Sequence, residues 1–249
     1  SYLRFLSRNK LYTAIEVVGL SVALAFVLII GSYVWQEYSI SRENPDYERI
    51  YIPTQSMPYG IFEPMKEQIP EIEKITLVNS FDDVVMECDD ERLVTRGLAV
   101  RGDFFDIFDY EFLIGDAGCL ESYTDIVISE SYAAKLAGKP ELAVGMKIVP
   151  VDYPSQAYTV TGIIKDFDHN YWKYMDFICK GESPLNDSAQ KNPIFTLSAT
   201  AFIKVSDSAD VDALGGKIQN IFRQLWGEKL NAAMIDQFTI DIGIERFDK

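Results

Sequence analysis

The 249 residues carry 38 acidic against 23 basic side chains, a formal net charge of −15, with 48% apolar and 24% charged residues. This is ordinary globular usage, which excludes a disordered chain, and the length suffices for a substantial core. The acidity excludes nucleic acid as a partner, because phosphate binding needs clustered Lys and Arg.

The charge is unevenly spread. Residues 1–35 hold Arg4, Arg8 and Lys10 against Glu16, so residues 36–249 hold −17. The opening SYLRFLSRNK alternates bulky apolar and basic residues, the pattern of a short interfacial helix. From Val17 to Trp35 nineteen residues pass without an ionisable group. At about 1.5 Å each they span roughly 28 Å, close to the hydrocarbon thickness of a bilayer. The run is longer than the apolar region of a cleavable signal and ends in Tyr-Val-Trp. A transmembrane helix is therefore predicted over residues 17–38, after a cytoplasmic or interfacial segment 1–16. Basic residues stay inside, and Glu37, Glu43, Asp46 and Glu48 follow the span, so the remainder is placed outside the cytoplasm. Gly19, Ser21, Ala23 and Ala25 leave part of the helix surface small, which permits close approach of another helix.

Beyond an exit turn at 43–46, residues 49–56 read as a strand. Residues 59–69 read as a helix, with Phe62, Met65 and Ile69 at helical spacing and Pro70 as its stop. Strands are expected at 75–79 and 84–88, separated by a turn at 80–83, and again at 93–100. The aromatic stretch 103–108 predicts a turn or short helix. A strand at 126–128 leads into a helix with Ser129 as N-cap and Gly138 and Pro140 at its end. Strands follow at 146–149 and 158–164, then a long loop at 181–193. The last stretch is a strand at 199–205 and a helix with Val211, Leu214, Ile218, Ile221, Phe222 and Leu225 on one face. Phe238, Ile240, Ile242 and Ile244 then alternate as a closing strand. The order describes an α+β domain whose central part is inserted between two βα-rich halves.

Catalytic signatures are sparse. One histidine, His169, excludes a multi-histidine metal site, and neither a GxSxG elbow nor a Walker A loop occurs; Gly216-Lys217 lacks the spacing. Asp166, Asp168 and His169 place two carboxylates and an imidazole within four residues, a set able to ligate a cation or move protons. The plainer reading is a polar turn after a strand. The acidic group Asp82, Asp83, Asp89, Asp90 and Glu91 lacks a calcium-loop pattern and reads as a solvated turn. Tyr171, Trp172, Tyr174 and Phe177 read as packed aromatics, with a contact surface as the alternative. Cys88, Cys119 and Cys179 form no CxxC motif; three buried thiols are expected, although an oxidising compartment would permit one disulfide.

Several strings in order resemble the FtsX-like, MacB-type permeases of ABC transporters, particularly their Bacteroidetes branch. They are Arg8 to Thr13, Gly19 to Ser21 and Arg49 to Tyr51, then VRGDFFDIF (100–108), DIVISESYAAKLAG (125–138) and YTVTGIIKDF (158–167). The resemblance implies a transmembrane helix followed by a MacB-type periplasmic core domain. A porter-like subdomain would be formed by 39–102 and 195–249, and a second α+β subdomain by 103–194. It implies an inner-membrane location, a periplasmic domain 39–249, no cofactor, and a non-enzymatic chain. A partner ATPase would supply hydrolysis that is relayed outward as motion. Further partners implied are a second copy in the full-length permease, membrane lipid, and a periplasmic protein or peptide. Because the sequence stops at Lys249, it reads as a piece of a longer permease. A membrane-anchored sensor ectodomain is the alternative, and an anchored enzyme using Asp166, Asp168 and His169 a third reading.

Overall fold

The computed structural model describes residues 10–40, 46–89, 91–166, 172, 174–181, 198–226 and 242–247, in two units divided after residue 43. The described residues of the first unit are one helix, α1 (Lys10–Ile40), which starts earlier and ends later than the predicted span. Its stretch Lys10–Trp35 is long and apolar enough to cross a membrane. Ser21 Oγ donates to the Val17 carbonyl at 2.7 Å and Ser32 Oγ to that of Ile29 at 2.8 Å. These hydroxyls are satisfied within the helix, as an apolar surrounding demands.

The second unit opens with a 3₁₀ turn, Tyr47–Arg49, and then β1 (Ile50–Pro53) and β2 (Met57–Pro58). The predicted helix at 59–69 is a 3₁₀ turn followed by α2 (Phe62–Gln68). A long hairpin comes next, β3 (Ile72–Cys88) with β4 (Glu91–Gly102), and then the one-turn helix α3 (Phe104–Ile107). After β5 (Phe112–Ile114), β6 (Asp125–Ser129) runs into α4 (Glu130–Ala137). Ser129 Oγ caps α4 by accepting from Tyr132 N, and Gly138 leaves it at φ 73°. β7 (Lys147–Pro150), β8 (Tyr158–Ile164), β9 (Phe177–Lys180) and β10 (Ser198–Val205) lead to α5 (Val211–Trp226) and β11 (Ile244–Arg246). Phe238 and Ile240 lie outside the described residues, as does the predicted loop at 181–193 apart from Gly181.

One expectation is corrected. Residues 80–83 do not end a strand; β3 runs on through a bulge, where the pairing Phe81↔Gly97 gives way to Val84↔Thr95 and Asp83 takes φ 56°. A bulge adds one residue to one strand of the pair. Before it, odd-numbered Ile75 and Leu77 face the core shared with the helices; beyond it, even-numbered Met86 and Cys88 are the buried ones.

The described strands form one sheet, ordered β11-β1-β10-β3-β4-β9-β6-β8-β5. Its first part is a βα layer. Ala199, Ala201, Ile203 and Val205 of β10 alternate toward Met65 of α2 and Leu214, Ile218 and Ile221 of α5. Phe202 points the other way, into an aromatic cluster: Phe108 at 5.2 Å, Trp172 at 5.5 Å and Phe247 at 5.8 Å between ring centres, all edge-on. The second part closes on itself. β4 pairs β9, β9 pairs β6, β6 pairs β8, β8 pairs β7, and β7 returns to the far half of β3 at Met86 and Glu87. This ring of six strands is filled by Met86, Cys88, Ile126, Ile128, Ile148, Val160, Ile163, Phe177 and Cys179, with Tyr132 and Ala133 of α4. The Phe177 ring lies over Gly97, where any Cβ would come within 2.1 Å of it.

The two adjacent glycines of α5 are not equivalent. A Cβ at Gly215 would lie 2.2 Å from the Ile242 carbonyl oxygen, whereas nothing lies within 4 Å of one at Gly216. Gly215→Ala is expected to lower stability by about 1–3 kcal/mol through overpacking. Gly216→Ala should raise it by up to about 1 kcal/mol through helix propensity. Thermal unfolding of the two variants in the same membrane mimetic checks the opposite signs.

Candidate functional site

Two features can bear a function: the anchor, and the ends of the folded unit where polar groups collect. On α1, Val17, Gly19, Ala23 and Trp35 are all exposed, with Trp35 at 75%, and no heavy atom lies within 4 Å of a Cβ built on Gly19. Gly19 and Ala23 are four residues apart, so they share one helix face.

The folded unit is clasped at its entry. Arg49, beside the first strand, donates through Nε to the Val205 carbonyl at 2.9 Å and lies 3.1 Å from Asp207 Oδ1. Its other nitrogens pair with Asp46 Oδ1 at 3.4 Å and with Glu73. Lys204 on β10 pairs with the second oxygen of Asp46. One guanidinium fork thus joins the entry turn, β3 and the end of β10, a geometry that Arg supports and Lys does not. Arg49 was singled out in the sequence only as part of a family string. One of its partners, Val205, lies 156 residues away in the chain, and no local pattern announces it.

Of the polar trio, Asp166 is described and Asp168 and His169 lie outside the described residues. Asp166 Oδ1 accepts from the backbone N–H of Ser131 at 2.9 Å, in the first turn of α4. This is the structural job of a capping carboxylate. Among the described residues no group of three or more His, Cys, Asp and Glu side chains is placed to hold a metal ion. Asp166 also lines a cleft of about 360 Å³ with Asp83, Val94, Arg96, Lys135, Tyr174 and Asp176, among others. The aromatic group divides: Trp172 and Phe177 are buried, but Tyr174 is 76% exposed at φ 66°, contrary to the packing expected of it, and Tyr171 lies outside the described residues.

The three cysteines are free thiols. Cys88 and Cys179 are buried within the six-stranded ring, as expected, but Cys119 is only half-buried. Burial pushes the Cys179 thiol up to about 11, despite a hydrogen bond with Tyr158 that acts the other way. Desolvation also raises Tyr158 and Tyr132 well above their usual range.

The sequence matches the family model described as the MacB-like periplasmic core domain over residues 13–221. Among curated proteins none matches. Among solved structures, a domain of a protein described as a permease from Porphyromonas gingivalis superposes with a TM-score of 0.61 at 19% identity. That match covers 81% of this chain and 89% of the other. The periplasmic region of MacB from Actinobacillus actinomycetemcomitans gives 0.49 at 12% identity, covering 78% and 94%. The extracellular domain of the noncanonic ABC-type transporter YknZ from Gram-positive bacteria gives 0.49 at 12%, covering 71% and 95%.

Two outcomes follow from the clasp and the thiols. Arg49→Ala should lower stability by about 1–2 kcal/mol, more than an isolated surface pair contributes, and high salt should shrink the difference; unfolding at two ionic strengths reads it. Alkylation of the native chain at pH 8 should label Cys119 first. Cys179 should react only after unfolding, or as the pH climbs toward 11 and its thiolate forms; peptide mass mapping follows the order.

Proposed function

The chain belongs to the family of MacB-like periplasmic core domains, and on that footing we propose that it couples cytoplasmic ATP hydrolysis to movement outside the inner membrane. The observation that carries this reading is the extent of the family match, residues 13–221, which runs from within α1 through the folded unit into α5. A partner ATPase supplies the energy, and the N-terminus lies in the cytoplasm with residues 39–249 in the periplasm. The basic residues before the span and the acidic unit after it support that orientation.

In this reading residues 39–102 and 195–249 form a porter-like subdomain around an inserted 103–194. The Arg49 clasp has a mechanical part. Displacement delivered to the chain at Asp46 meets Glu73, Lys204 and Val205, and is borne by the sheet rather than absorbed in a loop. Gly19 and Ala23 offer the close-packing face toward another membrane helix, in the same permease or in a second copy. Export, extraction and hydrolase regulation are all outputs such a movement can drive.

The test is co-purification of the full-length permease with a nucleotide-binding subunit from the same cell, followed by ATPase assays of that subunit alone and in complex. Association with an altered hydrolysis rate is expected. Purification without any ATPase, together with a cytoplasmic signalling module encoded beyond Lys249, would overturn the reading in favour of a sensor ectodomain.

A further inference from the structure

Among the described residues, β4 keeps a stretch of strand edge in the six-stranded ring that no other strand covers. On β4, the Arg96 carbonyl accepts from Asp176 N at 2.7 Å and the Val100 carbonyl from Gly181 N at 2.7 Å. Even-numbered residues of β4 therefore direct their backbone polar groups toward β9. The partner strand agrees: Val85 is paired with Val94, and the Val85 carbonyl is used on its far side by Val151 N at 2.9 Å. Val85 and Val94 thus form a non-hydrogen-bonded pair. The N–H and C=O of Val94 point away from β3, and among the described residues nothing bonds them.

What would have covered that edge is turned aside. The Asp176 carboxylate takes the Arg96 N–H at 3.0 Å, which stops β9 from pairing further, and Tyr174 at φ 66° carries the chain off. Val94 lines the 360 Å³ cleft together with Ser131 and Lys135 of α4 and Asp166. Open edges are commonly guarded by Lys, Pro or an inward charge. Here the edge residue is a valine, 66% exposed, with the exposed ring of Tyr174 lining the same cleft.

We propose that the Val94 edge and this cleft are a docking site at which an extended basic segment of a partner protein adds as a strand. Main-chain bonds to Val94 give the register, and Val94 and Tyr174 receive an apolar side chain of the segment. Charge selects a basic partner. Asp83, Asp166 and Asp176 line the cleft, and Arg96 is already engaged by Asp82 at 3.6 Å. Three carboxylates thus line the cleft with two cations, Arg96 and Lys135, and the first of these cations is paired with a further carboxylate outside the lining, within a region 36–249 of net charge −17. The site depends on the function proposed above only in lying outside the cytoplasm, where a secreted or anchored protein can reach it.

The test uses the full chain in lipid nanodiscs and a fluorescent octapeptide of alternating lysine and valine, read by anisotropy. Two controls are the alternating glutamate–valine peptide and the lysine–valine peptide N-methylated at every second residue, which removes one edge of donors. The lysine–valine peptide is expected to bind at least about tenfold more tightly than either control, and to slow hydrogen exchange at the Val94 amide. Val94→Pro, a substitution that open edges tolerate, should weaken binding by at least about tenfold. If that variant fails to fold, N-methylation and hydrogen exchange decide in its place. No binding, equal binding of the N-methylated peptide, or unchanged exchange at Val94 would overturn the site. No nucleotide or ATPase enters the assay, so its failure leaves the coupling function to its own experiment.

Discussion

Two cores depend on one hairpin. β3 and β4 are long because each serves in two places: near the base, β3 gives its free edge to β10 and joins the βα layer, and near the tip it gives the same edge to β7. β4 meanwhile hands its outer edge to β9. A backbone buried over such a length must find partners throughout, and the hairpin finds them by lending its two halves to different neighbours. Ile75 and Leu77 therefore sit under α2 and α5, while Met86 and Cys88 sit inside a closed ring. Neither packing survives without the other's share of the same two strands.

Closure of the ring was not readable from the chain. It requires β7, four residues long, to bridge β3 and β8, and the pairs lie more than sixty residues apart in sequence on one side. Individual elements were much clearer. The 3.6-residue period of α5 and the Ser129 cap with Gly138 at the far end of α4 came through because their causes are local. β5 and β9, three and four residues long, carry too little pattern to stand out. The candidate site is only partly legible. Asp166 stands out by its neighbours in sequence, yet its use is to hold the N–H of Ser131. Tyr174 belongs to an aromatic group for which a contact surface is only the alternative to packing, and Val94 shows as no more than a strand residue.

The folded unit also illustrates how acidity can be concentrated without destabilising a core. At its rim several carboxylates find a cation or a backbone N–H: Asp46 with Lys204, Asp106 with Lys74 at 2.7 Å, Glu87 with Arg92 at 2.7 Å, Asp176 with Arg96 N. The interior holds thiols, hydroxyls and rings. An interior of that kind resists change in protonation across the physiological range, since burial holds Cys179 and the nearby tyrosines in their neutral forms. A shell that responds to salt encloses a core indifferent to pH.

The bulge at Phe81 to Val84 has the widest reach. β4 keeps one parity throughout, with Thr95, Gly97 and Ala99 all on the inner side, while β3 changes parity at Asp82 and Asp83. The extra residue acts as a frame correction: it lets an odd-numbered hydrophobic series and an even-numbered one lie on the same face of a single strand. Losing one residue at Asp82 and Asp83 would turn the bulge into regular pairing and leave Met86 and Cys88 facing the ring. Losing two there would turn Met86 and Cys88 outward and bring Val85 and Glu87 into the ring. Length change at this point is therefore tolerated as a single step and not as a pair, a grammar imposed by the pleat rather than by any residue's chemistry.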